Sequence, residues 1–317
     1  AVGLRMGILE DMRNANAERL AVHEEKNLIG KKYGKTKVQA FPHRILNTDW
    51  KRDKLAGMLE ENGVLGVEKV LSDDTAAELL AYINAESDKS KREVESGEVE
   101  FDDRFGGVNC RGKGLFGLRQ DQFLPMSDAL VQRACAEAMG NMYPLLEKVV
   151  GADATLHEVS SLVADPGAPR QCMHVDTIML PCPQYPQVTM APLYTFFIAL
   201  QDVEHNMGHT TFLPRTQTPD AHLLWNLGQK QKENLIASLP AVESGLKTGD
   251  TVIFDSRNLH AGGANTSQKR RVLFYFTLSS QHEWPLPNGL HASNSIRKED
   301  FRRWRLADIV KLGAEAA

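Results

Sequence analysis

The amino-acid sequence predicts a mainly β protein with α-helical support, its core a double-stranded β-helix of the jelly-roll, cupin-like kind carried by helices in the N-terminal half. Three observations predict it. From Thr155 onward the chain breaks into short runs rich in β-branched and aromatic residues, separated by Pro and Gly turns, as antiparallel double sheets require. Ahead of them, apolar residues recur at helical spacing. The 317 residues, of ordinary apolar content, suffice to bury one large core between packed layers.

Taken in order, the chain opens with an amphipathic stretch through Leu4, Ile8, Met12, Leu20 and Ile29, read as a packing segment within a helical N-terminal extension over 1–60. The rest, 61–317, reads as a single domain. Around Asn62-Gly63-Val64-Leu65 the chain turns from polar to apolar beside glycines, which predicts a short strand. Ser72-Asp73-Asp74 then offers cap chemistry for a helix with Ala76, Leu79, Leu80 and Ile83 on its apolar face, and the charged run 87–100 is expected to carry that helix out into solvent. Residues 101–124 mix glycines, aromatics, Arg104, Arg111, Lys113 and Arg119 without periodicity, which predicts a long loop over a cavity. A helix follows over 127–150, and strands are predicted at 156–164, 171–178, 188–200, 210–213, 251–254 and 272–278.

Charge and composition narrow the partners. A net charge of −4, with no basic run interleaved with aromatics, speaks against nucleic acid. No stretch approaches the roughly 18 to 20 apolar residues of a membrane-spanning helix. The four cysteines, Cys110, Cys135, Cys172 and Cys182, form no CxxC pair and read as reduced thiols, so a cytoplasmic setting is expected, with an organelle as the alternative. The partner expected is a small-molecule substrate. Monomer and dimer stay equally open.

Two segments carry chemistry. In the predicted strand through Cys172-Met173-His174-Val175-Asp176, the period of two puts His174 and Asp176 on one face. An imidazole and a carboxylate so disposed can take adjacent positions on one metal ion. Further on, a Gly249-Asp250 turn feeds an apolar strand that leads to His260, followed by Ala261, Gly262 and Gly263, which leave room for a side chain to face a cavity. Two imidazoles and one carboxylate on a single face of a metal are the pattern of non-haem Fe(II) oxygenases, whereas zinc sites more often add cysteine or a third histidine. Arg271 heads the last strand, and a planar guanidinium there suits a carboxylate, which it can grip with two parallel hydrogen bonds.

These residues, in this order, resemble the phytanoyl-CoA dioxygenase family of Fe(II)- and 2-oxoglutarate-dependent oxygenases. The resemblance runs from about Asn62 to Leu278, through Asn62-Gly63-Val64-Leu65, Leu71-Ser72-Asp73, His174-Val175-Asp176, Ile198-Ala199-Leu200-Gln201-Asp202-Val203, Gly208, Phe212-Leu213-Pro214, Gly249-Asp250, His260, Asn265, Ser267 and Arg271. It implies that His174, Asp176 and His260 are the ligands of Fe(II), that Arg271 anchors the distal carboxylate of 2-oxoglutarate, and that Thr195 and Phe197 line the cosubstrate pocket. It further implies that O₂ is the oxidant and that succinate and CO₂ are released. Cys172, two residues from His174, is either pocket wall or an inert buried thiol. Two departures stand out: Pro214-Arg215-Thr216-Gln217 where relatives often show Pro-Gly-Ser/Thr-His, and the Pro- and Gln-rich segment between Pro181 and Pro192.

The basic residues Arg104, Arg111, Lys113, Arg119 and Arg170 lie in segments placed to face a cavity, so a small, carboxylate-bearing metabolite is the expected substrate. Hydroxylation is the default outcome, with desaturation or oxidative ring closure as variants of the same oxidation. Two other readings stay open at this point. A divalent-metal hydrolase or isomerase would use the same three ligands but gives Arg271 no work, and a non-catalytic jelly-roll binding module predicts His174 and His260 far apart.

Overall fold

In the computed structural model of the protein, residues 39–40, 44–45, 52–107, 116–182, 185–280 and 294–316 are described. The amphipathic stretch through Leu4 and Ile29 lies outside them. The described residues of the predicted extension are two short strands, β1 (Gln39–Ala40) and β2 (Arg44–Ile45), and the larger part of helix α1 (Arg52–Asn62).

Two antiparallel-rich sheets face each other. The larger takes β2, β3 (Val64–Val67), β9 (Thr251–Asp255), β6 (Leu193–Ala199), β11 (Arg271–Ser279), β5 (Thr155–Ala164) and β4 (Arg119–Phe123), in that spatial order. The smaller takes β1, β8 (Val242–Glu243), β7 (Thr210–Phe212) and β10 (His260–Gly262). The strand alternation of the larger sheet sorts its side chains. Leu162, Phe197, Val252, Phe254, Leu273 and Tyr275 point inward and meet Phe212 and Val242 of the smaller sheet, forming the inner core of the jelly roll. Val159, Val163, Phe196, Ile253, Phe274 and Phe276 point outward, where α2 (Asp73–Glu95), α3 (Ala129–Val149) and α6 (Leu306–Ala316) cover them with Leu79, Ile83, Met139, Met142, Leu306 and Ile309. Burying one such Leu or Phe fully contributes roughly 1.5–3 kcal/mol, which is why the helices stay on that face.

The helices start where capping side chains permit. Ser72 Oγ accepts from Thr75 N at 3.3 Å to open α2, and Asp128 Oδ1 accepts from Leu130 N at 2.9 Å to open α3. The charged run predicted to enter solvent does not do so throughout. Glu86, Ser87 and Ser90 are buried, because Arg297 donates to Glu86 at 2.6 Å and Ser87 meets Gln120 of β4. Within the predicted loop over 101–124, Arg119-Gln120-Asp121-Gln122-Phe123 forms the edge strand β4, all five residues buried. The helices α4 (Pro219–Asn226) and α5 (Gln229–Ser238), as well as α6, had no counterpart in the sequence reading.

Candidate active site

The predicted strand over 171–178 is not a strand in the structure. The β10 ladder is only three residues long, so its far neighbour makes a single bridge, His174 to His260, with N–H···O contacts of 3.0 and 2.9 Å in both directions. Asp176 N and Thr177 N both then donate to Ser256 O, at 2.8 and 3.2 Å, which ties the segment to the turn after β9. This is enough to bring His174, Asp176 and His260 together. The Nε2 atom of His174 stands 3.5 Å from Asp176 Oδ1, and that of His260 stands 3.4 Å from Asp176 Oδ2.

Each histidine is oriented the same way. His174 Nδ1 contacts Cys172 O at 2.8 Å and His260 Nδ1 contacts Asn258 O at 2.9 Å. A carbonyl oxygen only accepts, so the proton sits on Nδ1 and both Nε2 lone pairs face Asp176. Burial, with the neighbouring His260 as the next cause, pushes the His174 pKa down to about 4, so its imidazole is neutral and its lone pair available near neutral pH. Phe254 and Phe212 pack against the His260 ring, with centroids 4.7 and 5.7 Å away.

The turn that departed from the family pattern serves this strand. Thr216 is fully buried; its hydroxyl donates to Leu213 O at 2.7 Å and accepts from Leu259 N at 2.8 Å, one residue before His260. Gln171, beside Cys172, accepts from Gly262 N at 2.9 Å and lines the cavity; Cys172 is half-buried and contributes its carbonyl to His174.

A cavity of about 230 Å³ opens at the three side chains, and Thr195 and Phe197 both line it. Arg271 lies one level deeper. It is fully buried, opposite Ala164 of β5, and Nη1 donates to Gly208 O. Gly208 has φ of 83°, and a Cβ there would stand 2.4 Å from Gly263 O, so only glycine brings this carbonyl to the guanidinium. Arg271 Nε and Nη2 have no hydrogen-bond partner among the described residues. Burial, with the nearby Arg119 charge as the lesser cause, pushes its pKa down to about 9. A buried guanidinium with two idle N–H donors in its planar fork fits the carboxylate of a small acid. The donor set of two imidazoles and one carboxylate likewise fits Fe(II).

The basic residues expected at the cavity are engaged elsewhere. Arg104 pairs with Glu93 at 2.7 Å, Arg170 donates to Thr211 Oγ1 at 2.6 Å, and Arg119 Nη2 donates to Pro169 O and Gly263 O at 3.0 and 2.9 Å. Arg111 and Lys113 lie outside the described residues. What the sequence reading missed is an acidic wall. Asp121 lines the cavity and accepts from Ser160 at 2.6 Å, from Tyr275 at 2.8 Å and from Ser295. Glu158 accepts from Thr277 Oγ1 at 2.6 Å, and burial pushes its pKa up to about 7. Thr277 also meets Thr195 at 2.9 Å; with its own proton given to Glu158, Thr195 must be the donor in that contact. Strand alternation from β4 and β5 could have signalled this wall only had β4 been recognised.

Comparisons with known proteins bear on the family and the fold. Residues 59–273 match the family model Phytanoyl-CoA dioxygenase (PhyH). A protein named Dioxygenase ALT11, from Alternaria alternata, is 26% identical over 157 residues, 47% of this chain and 47% of that protein, so the match spans about half of the relative's length. Among solved structures, the epimerase SnoN in complex with Fe3+, alpha ketoglutarate and nogalamycin RO superposes with a TM-score of 0.54 at 19% identity, covering 75% of this chain and 86% of that one. AviO1 from Streptomyces viridochromogenes Tue57 superposes with a TM-score of 0.50 at 17% identity, covering 76% and 100%. At such identities the likeness speaks to the fold.

Proposed function

The chain belongs to the phytanoyl-CoA dioxygenase family; from that premise we propose that it is an iron- and 2-oxoglutarate-dependent oxygenase that oxidises a C–H bond of a small metabolite, with His174, Asp176 and His260 holding Fe(II) and Arg271 holding 2-oxoglutarate. Bound there, the iron and cosubstrate supply the oxidising chemistry with O₂, and succinate and CO₂ leave. The chain's own work is to position and to exclude. The two Nδ1–H groups, tied to Cys172 O and Asn258 O, hold the imidazoles with Nε2 forward, so that the ligands need not reorganise when metal enters. Asp176 supplies a carboxylate at the position a halide would need, which argues for oxygen insertion, desaturation or ring closure rather than halogenation. The idle Nε–H and Nη2–H of Arg271 take the far carboxylate of the cosubstrate, and Thr195 and Phe197 form the wall beside it.

Of the basic residues on which a substrate carboxylate was expected, Arg104, Arg119 and Arg170 bond to other groups, and Arg111 and Lys113 lie outside the described residues. With Asp121 and Glu158 on the cavity wall, we assign the substrate a hydrogen-bond-donating group, hydroxyl or amine, facing Glu158. One observation carries the whole reading: three side chains distant in sequence meet at 3.4 to 3.5 Å, and the same barrel buries an arginine with two donors that find no partner among the described residues. The hydrolase alternative leaves those donors without purpose.

Anaerobic addition of Fe(II) and 2-oxoglutarate tests it by the visible charge-transfer absorption of the chelate. The band is expected in the wild type and absent in Asp176→Ala. A wild type that shows no band and releases no succinate with any substrate would refute the assignment.

A further inference from the structure

A second group of ligand-type side chains lies outside this site and shares no residue with it. His205, in the short helical turn after Glu204, and His209, just before β7, converge on Glu243 of β8. The Nδ1 atoms of both rings stand 3.6 Å from the same oxygen, Glu243 Oε2, and the three ligand atoms all lie within 4.8 Å of one another. Such a separation is longer than the roughly 2.7–3.2 Å of an N–H···O hydrogen bond. It is close to the edge, about 3.4 Å, of a tetrahedron drawn around a metal with bonds of about 2.1 Å. The iron ligands of the active site stand apart by nearly the same amount, 3.4 and 3.5 Å.

The orientation of His209 strengthens this. Its Nε2 contacts Val203 O at 3.0 Å, and a carbonyl accepts only, so Nε2 carries a proton and Nδ1 is the atom turned to the carboxylate, where a metal ion would be held. The ring lies over Gly245, where a Cβ would stand 3.3 Å from His209 Cε1, and the Val203 contact orients it without an ion. Arg170 is the other charged group acting on Glu243, and its guanidinium is engaged with Thr211 Oγ1.

We propose that His205, His209 and Glu243 form a second divalent-cation site, of the two-histidine, one-carboxylate kind that suits Zn²⁺, on the turn that seats Arg271. Water fills the remaining coordination position. The intervening Gly208 carries the carbonyl that receives Arg271 Nη1, and His209 O accepts from Gly263 N at 3.0 Å, three residues past His260. An ion here therefore ties residues 205–209 to β8 and braces the turn between the two functional residues. The proposal does not depend on the oxygenase reading.

The test is the zinc stoichiometry of the untagged full chain, measured by equilibrium dialysis at micromolar free Zn²⁺ and neutral pH, for wild type, His205→Asn and Glu243→Gln. Whatever the iron site takes up, wild type is expected to bind one equivalent more than either variant, and Zn²⁺ is expected to raise its Tm further than theirs. His205 is largely exposed, its side chain 84% accessible, so His205→Asn should keep the metal-free Tm and the control is clean. Equal stoichiometry in all three proteins, or a loss confined to a variant that has also lost its metal-free Tm, would overturn the site.

Discussion

Arg271 concentrates the argument at the scale of single residues. A fully buried guanidinium with one hydrogen bond among the described residues is costly unless a second partner arrives, and charge-assisted hydrogen bonds contribute about 1.5–3 kcal/mol. Replacing it with lysine removes the fork, so Arg271→Lys is expected to raise the KM for 2-oxoglutarate on the order of 10- to 100-fold while the protein still binds iron. An unchanged KM would remove Arg271 from the cosubstrate site. Glu158 makes a prediction of the opposite kind. Its folded pKa, pushed up to about 7 by burial, exceeds the ordinary 4.5, so the fold keeps a proton that the unfolded chain releases. Stability of the metal-free protein therefore falls as pH rises from about 4.5 to 7, on the order of 3 kcal/mol, and levels off above. Glu158→Gln should flatten that slope in denaturant titrations at successive pH values; an identical slope in the variant would show that Glu158 is not its source.

Individual elements explain where the sequence misled. The segment over 171–178 has the alternation of a strand, and that alternation correctly grouped His174 with Asp176, yet the three-residue β10 gives it only one bridge to pair with. The edge strand β4 was missed for the opposite reason. Its polar composition reads as loop, and much of that polarity is taken up by partners far along the chain: Ser160 and Ser295 for Asp121, Asp165 for Gln120. The turn at Thr216 is another such element. Thr216→Val removes the hydroxyl that accepts from Leu259 N while keeping the volume, and should cost about 1–3 kcal/mol by leaving a buried N–H unpaired. Because that N–H precedes His260, iron affinity should fall with stability; a variant that loses stability and keeps wild-type iron affinity would show that the turn supports the fold alone.

At the scale of the whole molecule, the jelly roll carries the proposed ligands on both sheets and on a loop, with Arg271 in the larger sheet and His260 in the smaller. A ligand pair that bridges the two should stabilise the assembly as a unit. Fe(II) with 2-oxoglutarate under anaerobic conditions is expected to raise the Tm of the wild type by several degrees, more than either alone, and to leave Asp176→Ala unchanged. A shift of equal size in that variant would mean that binding occurs elsewhere. No described helix is long and apolar enough to cross a membrane. The convergence of His174, Asp176 and His260, the helices at Ser72 and Asp128 and most of the β strands were legible in sequence, because local periodicity, caps and the chemistry of side chains are written in neighbouring residues. Only the tertiary structure decided that Asp121 and Glu158 line the cavity, that Arg104, Arg119 and Arg170 bond to other groups, and that Arg271 keeps two donors without a partner among the described residues. Those facts depend on strand register and on contacts across 40 to more than 170 positions of chain, which no local pattern encodes.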